Sequence, residues 1–263
     1  MNRIFMPAIT MLISLARKLK LLIFLFKTSI YTFLFHLKTT KMYFELPEFT
    51  LKDKHDNHLN ASNLWRGNLI NLELELNKNP YLVLKIPKFK SAFHLTTYDL
   101  NRYYKSQKVF NKNHYGKSFR GLIKENRGAF KPRIVDPVYL TSEARMYHLS
   151  HFSAFEHYSQ ESLDSYNNVI EFGGGYGGST SLLLKLLSSS ATINVIDFPA
   201  MLKLQYLYLC NVGLSDFLNP ITNEGQALKN KKINLIPISY MSTLKQLKKI
   251  TPPRFINCTL VFV

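Results

Sequence analysis

The chain has 263 residues, 46% of them hydrophobic and 13% aromatic, which is enough to bury a core and excludes a disordered tail. Lys and Arg number 34 against 17 Asp and Glu, and the formal charge of +17 suits an anionic partner (a membrane surface, nucleic acid or an anionic glycan) or simply reflects a proteome rich in Lys, Asn, Ile and Phe. The two cysteines, Cys210 and Cys258, supply no disulfide framework and favour a reducing compartment, and no Cys/His cluster of metal-binding type is visible.

The charge is unevenly placed. Residues 1–44 carry seven Lys/Arg and no acid, residues 45–167 carry 18 basic and 13 acidic residues, and residues 168–263 carry nine and four. The first segment holds an apolar run at 21–37 that is 17 residues long and includes Lys27, at the short limit for a spanning helix. No small-residue cleavage site of the usual kind follows, so a cleaved signal peptide is not expected. Wound as one helix at roughly 100° per residue, it gathers Arg17, Lys20, Lys27, Lys38 and Lys41 within about 120° of arc, shared with Ile13, Phe24 and Leu34. Three arrangements stay open: a helix lying on a membrane surface, helices packed within the protein, and a single-pass anchor. Were it inserted, Arg17, Lys18 and Lys20 would favour a cytoplasmic N-terminal side.

Residues 45–130 form a mixed region. FELPEF and KNPYLVLKIPKF are punctuated by proline and read as loops or edge strands. Residues 98–108 are polar, aromatic and helical in pattern. HYGKSFRGLIKENRGAFKPR is basic and broken by glycine, without the signature of an RNA-binding module, so it reads as a solvated face and no specific nucleic-acid partner is expected. Next, SEARMYHLSHFSAFEHYSQ predicts a helix with Ser142 as N-cap and Met146, Leu149, Phe152 and Phe155 at helical spacing. His148 and His151 share a face of it, but no carboxylate is spaced to complete a metal or catalytic site.

From about residue 131 strand and helix alternate. NNVIEF, ATINVIDF, KINLIPI and FINCTLVFV read as strands. GGSTSLLLKLLSSS, PAMLKLQYLYLCNV (with Pro199 at its start) and SYMSTLKQLKKI read as the helices between them. This β-α-β-α-β-α-β order predicts an α/β, Rossmann-like parallel sheet of about four strands with right-handed crossovers, behind a mainly helical basic N-terminal region. Three units follow: a basic apolar helical segment at 1–44, the mixed region at 45–130, and the sheet domain at 131–263.

The first strand runs into VIEFGGGYGG, with five glycines in six residues. A glycine turn between a parallel strand and a helix lets a ligand approach the backbone, and the helix N-terminus adds free N–H groups. Gly173, Gly175 and Gly178 satisfy G-x-G-x-x-G, a dinucleotide fingerprint. Glu171, Gly173, Gly175 and Gly177 satisfy E-x-G-x-G-x-G, the first motif of class I S-adenosylmethionine methyltransferases. Glu171 tips the balance: a carboxylate at the strand's carboxyl end suits an ammonium group or a sulfonium cation and repels a pyrophosphate. Asp197 ends the second strand, where it can accept ribose hydroxyls from either cofactor.

VIEFGGGYGG followed by NVIDFPAMLKLQYLYL resembles the sugar O-methyltransferases found among bacterial surface-polysaccharide enzymes. The paired features are the E-x-GGGYGG turn and the I-D-x-P…Q-x-x-Y-L stretch of Asp197, Pro199, Gln205, Tyr208 and Leu209. The match covers about 45 residues, 168–212, and its GGG-x-G and D-x-P elements also look like those of plant small-molecule O-methyltransferases. The resemblance implies S-adenosyl-L-methionine as cofactor and a sugar or glycan hydroxyl as acceptor. The cysteine usage favours a cytoplasmic protein, and the basic segment 1–44 leaves peripheral contact with the inner face of the membrane as one option. It implies that Glu171 holds the methionine amine, that Gly173, Gly174, Gly175 and Gly177 pack under the cofactor, and that Asp197 takes the ribose. Phe198 would line adenine or ribose or be packed away, and Tyr176 would face cofactor or substrate. No residue presents itself as the base that removes the acceptor's proton. The sheet of such enzymes normally has seven strands, so a chain with four before Val263 is expected to be a truncated product, with a genuinely shortened sheet as the other explanation. An oxidoreductase using NAD or a nucleotide sugar at the same turn, and an inactive remnant that binds membranes or polyanions, are the rival readings.

Overall fold

A computed structural model of the chain describes residues 5–37, 44–49, 63–80, 124–127, 132–136 and 138–247. The chain opens with a long helix, α1 (Phe5–His36), followed by α2 (Asn63–Lys78). A small antiparallel pair, β1 (Ile134–Asp136) and β2 (Thr141–Ser142), leads into α3 (Glu143–Ser159). The alternating half follows: β3 (Asn168–Phe172), α4 (Gly178–Leu186), β4 (Thr192–Asp197), α5 (Pro199–Asn211), β5 (Leu218–Pro220), β6 (Ile233–Pro237) and α6 (Met241–Leu247).

The fold is mixed α/β, with one sheet of four parallel strands in the order β3-β4-β6-β5. Three of the four strands expected from the sequence are in it, as β3, β4 and β6. The fourth expected strand, at 255–263, and the expected helix at 98–108 lie outside the described residues. The fourth strand among the described residues is β5, which lies beyond β6. A strand ending in Pro220 is tolerated where its missing N–H need not join a ladder.

The two faces of the sheet are chemically different, as the alternation of side chains along a strand requires. One face presents Val169, Ile193, Val195, Ile233 and Leu235 to Met146, Leu149 and Phe152 of α3, Leu182, Leu183 and Leu186 of α4, and Leu202, Leu204 and Leu207 of α5. Leu69, Leu72 and Leu76 of α2 belong to the same core, so the region ahead of the sheet shares its packing. Each such leucine, fully buried, contributes about 1.5–3 kcal/mol over leaving it exposed. The other face carries Ile170, Ile196 and Ile236 against Ile221, Tyr240 and Leu247.

On that second face the paired positions Asn194, Asn234 and Asn219 form a buried amide row across three strands. Asn219 Nδ2 donates to Asn234 Oδ1 at 2.7 Å, and Asn234 Nδ2 donates to Asn194 Oδ1 at 2.9 Å. The backbone of Lys229 closes the row: its N–H donates to Asn234 Oδ1 at 3.0 Å, and its carbonyl accepts from Asn234 Nδ2 at 3.1 Å. Asn234 is thereby satisfied at four points inside an apolar layer, where an unmet amide would be costly.

The helix starts follow local chemistry. Ser142 caps α3, its Oγ accepting from Arg145 N at 3.1 Å, as its position ahead of the apolar spacing predicts. Pro199 occupies the first turn of α5, where its missing N–H leaves nothing unpaired. Among the described residues no helix is long and apolar enough to cross a membrane.

Candidate functional site

The glycine run forms the turn from β3 into α4. Gly173 and Gly175 adopt φ of +66° and +59°, and Gly177, which caps α4, adopts +95°. All three lie in the left-handed region that a Cβ disfavours by about 1–2 kcal/mol. Their surroundings differ. A Cβ added at Gly173 or Gly175 would meet no heavy atom within 4 Å, so the turn has open space beside both. At Gly174 a Cβ would stand 3.0 Å from Val195 Cγ1, and at Gly177 it would stand 3.2 Å from Tyr208 Cδ1 and 3.3 Å from Leu209 Cγ. The turn therefore rests on β4 and α5 through Gly174 and Gly177 and is open at Gly173 and Gly175.

Glu171, one residue before the end of β3, and Asp197, which ends β4, lie at the carboxyl ends of neighbouring strands. Ligands of open parallel sheets bind beyond these ends. Glu171 is 1% exposed. Ser179 Oγ donates to its Oε1, and Thr180 Oγ1 donates to its Oε2 at 2.6 Å, so the carboxylate ties the end of β3 to the first turn of α4. Burial pushes its pKa up, and the two hydroxyls oppose that shift by stabilising the anion.

Asp197 is 7% exposed. Its Oδ1 accepts from Phe198 N at 2.8 Å, and its Oδ2 accepts from Gln205 Nε2 at 2.8 Å. Burial raises its carboxyl to about 7, with the negative charge of Glu171 adding to the rise and the two donors opposing it. Gln205 lies beneath the turn, and Gly174 packs on its amide. Tyr176, which the sequence places either toward a ligand or away from it, is turned inward. Its ring meets Tyr208 edge-on at 4.9 Å and lies 6.5 Å from His148. Gln205, Tyr208 and Leu209, one half of the resemblance, thus touch the turn that forms the other half. Phe198 is half-buried against the helical core.

The structure also gathers residues that the sequence did not single out. Glu125 is buried; it accepts from Ser142 Oγ, and Arg145 Nη1 lies 3.9 Å from its Oε1. Its neighbour Asn126 donates through Nδ2 to Ser181 Oγ at 3.2 Å and to Tyr208 Oη at 3.5 Å, and its Oδ1 accepts from Lys185 Nζ at 2.9 Å. Partial burial lowers Lys185 to about 8, with the nearby Arg145 charge acting in the same direction. This cluster ties residues 125 and 126 to α3, α4 and α5 immediately behind the glycine turn. The contacts of Glu125 and Asn126 reach residues 17 to 82 positions away, so no spacing in the sequence could show them together.

No protein-family profile matches the chain. Comparison with the curated proteins and with the solved structures finds no similar protein.

Proposed function

We propose that the glycine turn binds S-adenosyl-L-methionine and that the chain transfers its methyl group to a hydroxyl of a sugar or polysaccharide. One observation supports this above the others: an open left-handed glycine turn stands beside two carboxylates near the carboxyl ends of adjacent parallel strands. Such a site is electronegative and favours a cation over a pyrophosphate.

The residues fit the cofactor. The bare backbone at Gly173 and Gly175 admits ligand atoms where a side chain would otherwise stand. Asp197, when ionised, keeps lone pairs beyond the two bonds it already accepts, and ribose hydroxyls suit them. Glu171, turned onto Ser179 and Thr180, acts on a cationic ligand through its field and by holding α4 in place. The cofactor supplies an electrophilic methyl on a sulfonium; the chain's part is to hold it beside an aligned acceptor and keep competing water away. The acceptor class rests on the motif resemblance read from the sequence, E-x-GGGYGG with I-D-x-P, within residues 168–212.

The second reading, a dinucleotide, rests on Gly173, Gly175 and Gly178 and on the same Asp197. Calorimetry on the full chain with S-adenosylhomocysteine and, separately, with NAD tests both. We expect heat of binding from the first alone. Binding of NAD alone would replace this proposal with the oxidoreductase one.

A further inference from the structure

The long first helix carries two opposed faces. Its inner face packs on β1: Thr28 is buried, and Ile134 N donates to Thr32 Oγ1 at 2.8 Å. Leu21, Phe24, Leu25 and Tyr31 are half-buried on the same side. The hydroxyls there are satisfied locally as well, with Thr28 Oγ1 donating to Leu25 O at 3.0 Å and Thr32 Oγ1 to Thr28 O at 2.6 Å. The helix is therefore fixed to the protein along one side of its second half.

The outer face is apolar and bare. Leu12, Leu15, Leu19, Leu22, Phe26, Ile30, Phe33 and Leu37 are each between 42% and 69% exposed. They recur at steps of three and four residues, so at roughly 100° per residue they fall within about 80° of arc, opposite the packed side. The stripe runs about 37 Å at 1.5 Å per residue. Exposed Lys18 flanks it on one side and exposed Lys20 and Lys27 on the other. Every described side chain from 11 to 20 is exposed, so this stretch is left uncovered among the described residues. Monomeric proteins rarely leave a contiguous apolar strip of this length in water.

We infer that this face of α1 lies on an anionic lipid surface, with the stripe at the headgroup boundary and the flanking lysines against lipid phosphates. Charge decides between this occupant and a second copy of the chain. Residues 1–44 contain seven Lys/Arg and no acid, so a matching helix would set cations against cations, whereas anionic headgroups complement them. Apolar residues on one side, lysines at the flanks and a helix not apolar enough to cross describe an interfacial helix. The inference goes beyond the methyl-transfer proposal and does not depend on it.

The test uses the full chain and vesicles of phosphatidylcholine, with and without phosphatidylglycerol, in co-sedimentation at low and high salt. Two variants at exposed positions are compared with the parent, Leu22→Glu/Phe26→Glu and Lys18→Gln/Lys20→Gln/Lys27→Gln, each checked for an unchanged melting temperature. We expect binding to the anionic vesicles, weakened at least about tenfold by either variant and by salt. Equal pelleting of parent and variants would overturn the inference, as would absence of vesicle binding. Light scattering supplies the remaining outcome: a parent dimer that Leu22→Glu/Phe26→Glu converts to monomer, with no vesicle binding, assigns the stripe to a second copy.

Discussion

Gln205 Nε2 donates to Asp197 Oδ2 at 2.8 Å, while Gln205 Oε1, in the same amide, is buried and accepts no hydrogen bond among the described residues. The pair suits both protonation states of the carboxyl. An ionised Asp197 takes the amide N–H; a protonated one becomes a donor, and the amide turned over presents Oε1 to it. A carboxyl raised to about 7 visits both states near neutrality.

Stability should therefore depend on pH through Asp197. Its ordinary pKa is 3.8 and its folded value about 7, so between these the folded chain holds a proton that the unfolded chain has released. The contribution is favourable at the acid end and is lost as pH rises through that window, by up to about 1.4 kcal/mol per pH unit. Glu171, also raised by burial, acts in the same direction. Urea unfolding between about pH 5 and pH 7 should show a shallower pH slope for Asp197→Asn than for the parent; identical slopes would mean that Asp197 titrates as an ordinary carboxyl.

Thr180→Val should destabilise the fold by about 1–3 kcal/mol, because it removes a donor from a buried carboxylate while keeping the shape of the side chain. In Glu171→Gln the same valine should cost less, since the uncharged amide depends less on the lost hydroxyl. A double-mutant cycle measures the difference. A coupling indistinguishable from zero would show that the Thr180–Glu171 contact of 2.6 Å carries no energy.

Two glycines of one turn should fail in different ways. Gly175→Val adds a side chain on the open side at φ +59°, so it should cost about 1–2 kcal/mol in backbone strain and abolish S-adenosylhomocysteine binding. Gly178→Ala puts its Cβ onto the ring of Tyr176, which is buried and packed edge-on against Tyr208. That change should cost about 1–3 kcal/mol through overpacking. Calorimetry and thermal melts on both variants separate the effects. Unaltered ligand affinity in Gly175→Val would mean that the turn does not hold the ligand.

Asn234→Asp should be among the most damaging changes on the far face of the sheet. The carboxylate cannot donate to Asn194 Oδ1 or to Lys229 O, and it would sit charged at a position with no exposure. A loss of about 3 kcal/mol or more, eased at low pH where the carboxyl is neutral, is expected in denaturant titrations. A pH-independent loss would point to packing instead.

Much of the sheet was legible because its signals are local. The strand cores of β3, β4 and β6 are apolar runs bounded by glycine, proline and polar turns, and Ser142 and Pro199 mark helix starts by chemistry that acts within one turn. The helix α2 had a readable pattern too: Leu69, Leu72 and Leu76 all face the core from positions three and four apart, but the polar residues between them masked the stripe. The three residues of β5 are too few to show alternation, and only the neighbour β6 makes them a strand. At the site, the turn and its two carboxylates could be read from letter spacing. What could not be read was their direction, because Ser179 and Thr180 draw Glu171 inward only once β3 and α4 are side by side.

The cluster around Glu125 limits how this chain can be divided or recombined. A boundary drawn at 130 follows the change in sequence pattern, yet it cuts between a buried carboxylate and the Ser142 and Arg145 groups that it meets. A fragment beginning at 131 would bring the guanidinium into the fold without that carboxylate, and Lys185 would lose Asn126 Oδ1. Grafting the glycine-turn domain behind another leader would succeed only if the new leader delivered an acid and an amide to the same two places. The unit that can be exchanged as a module therefore starts upstream of where its first strand begins.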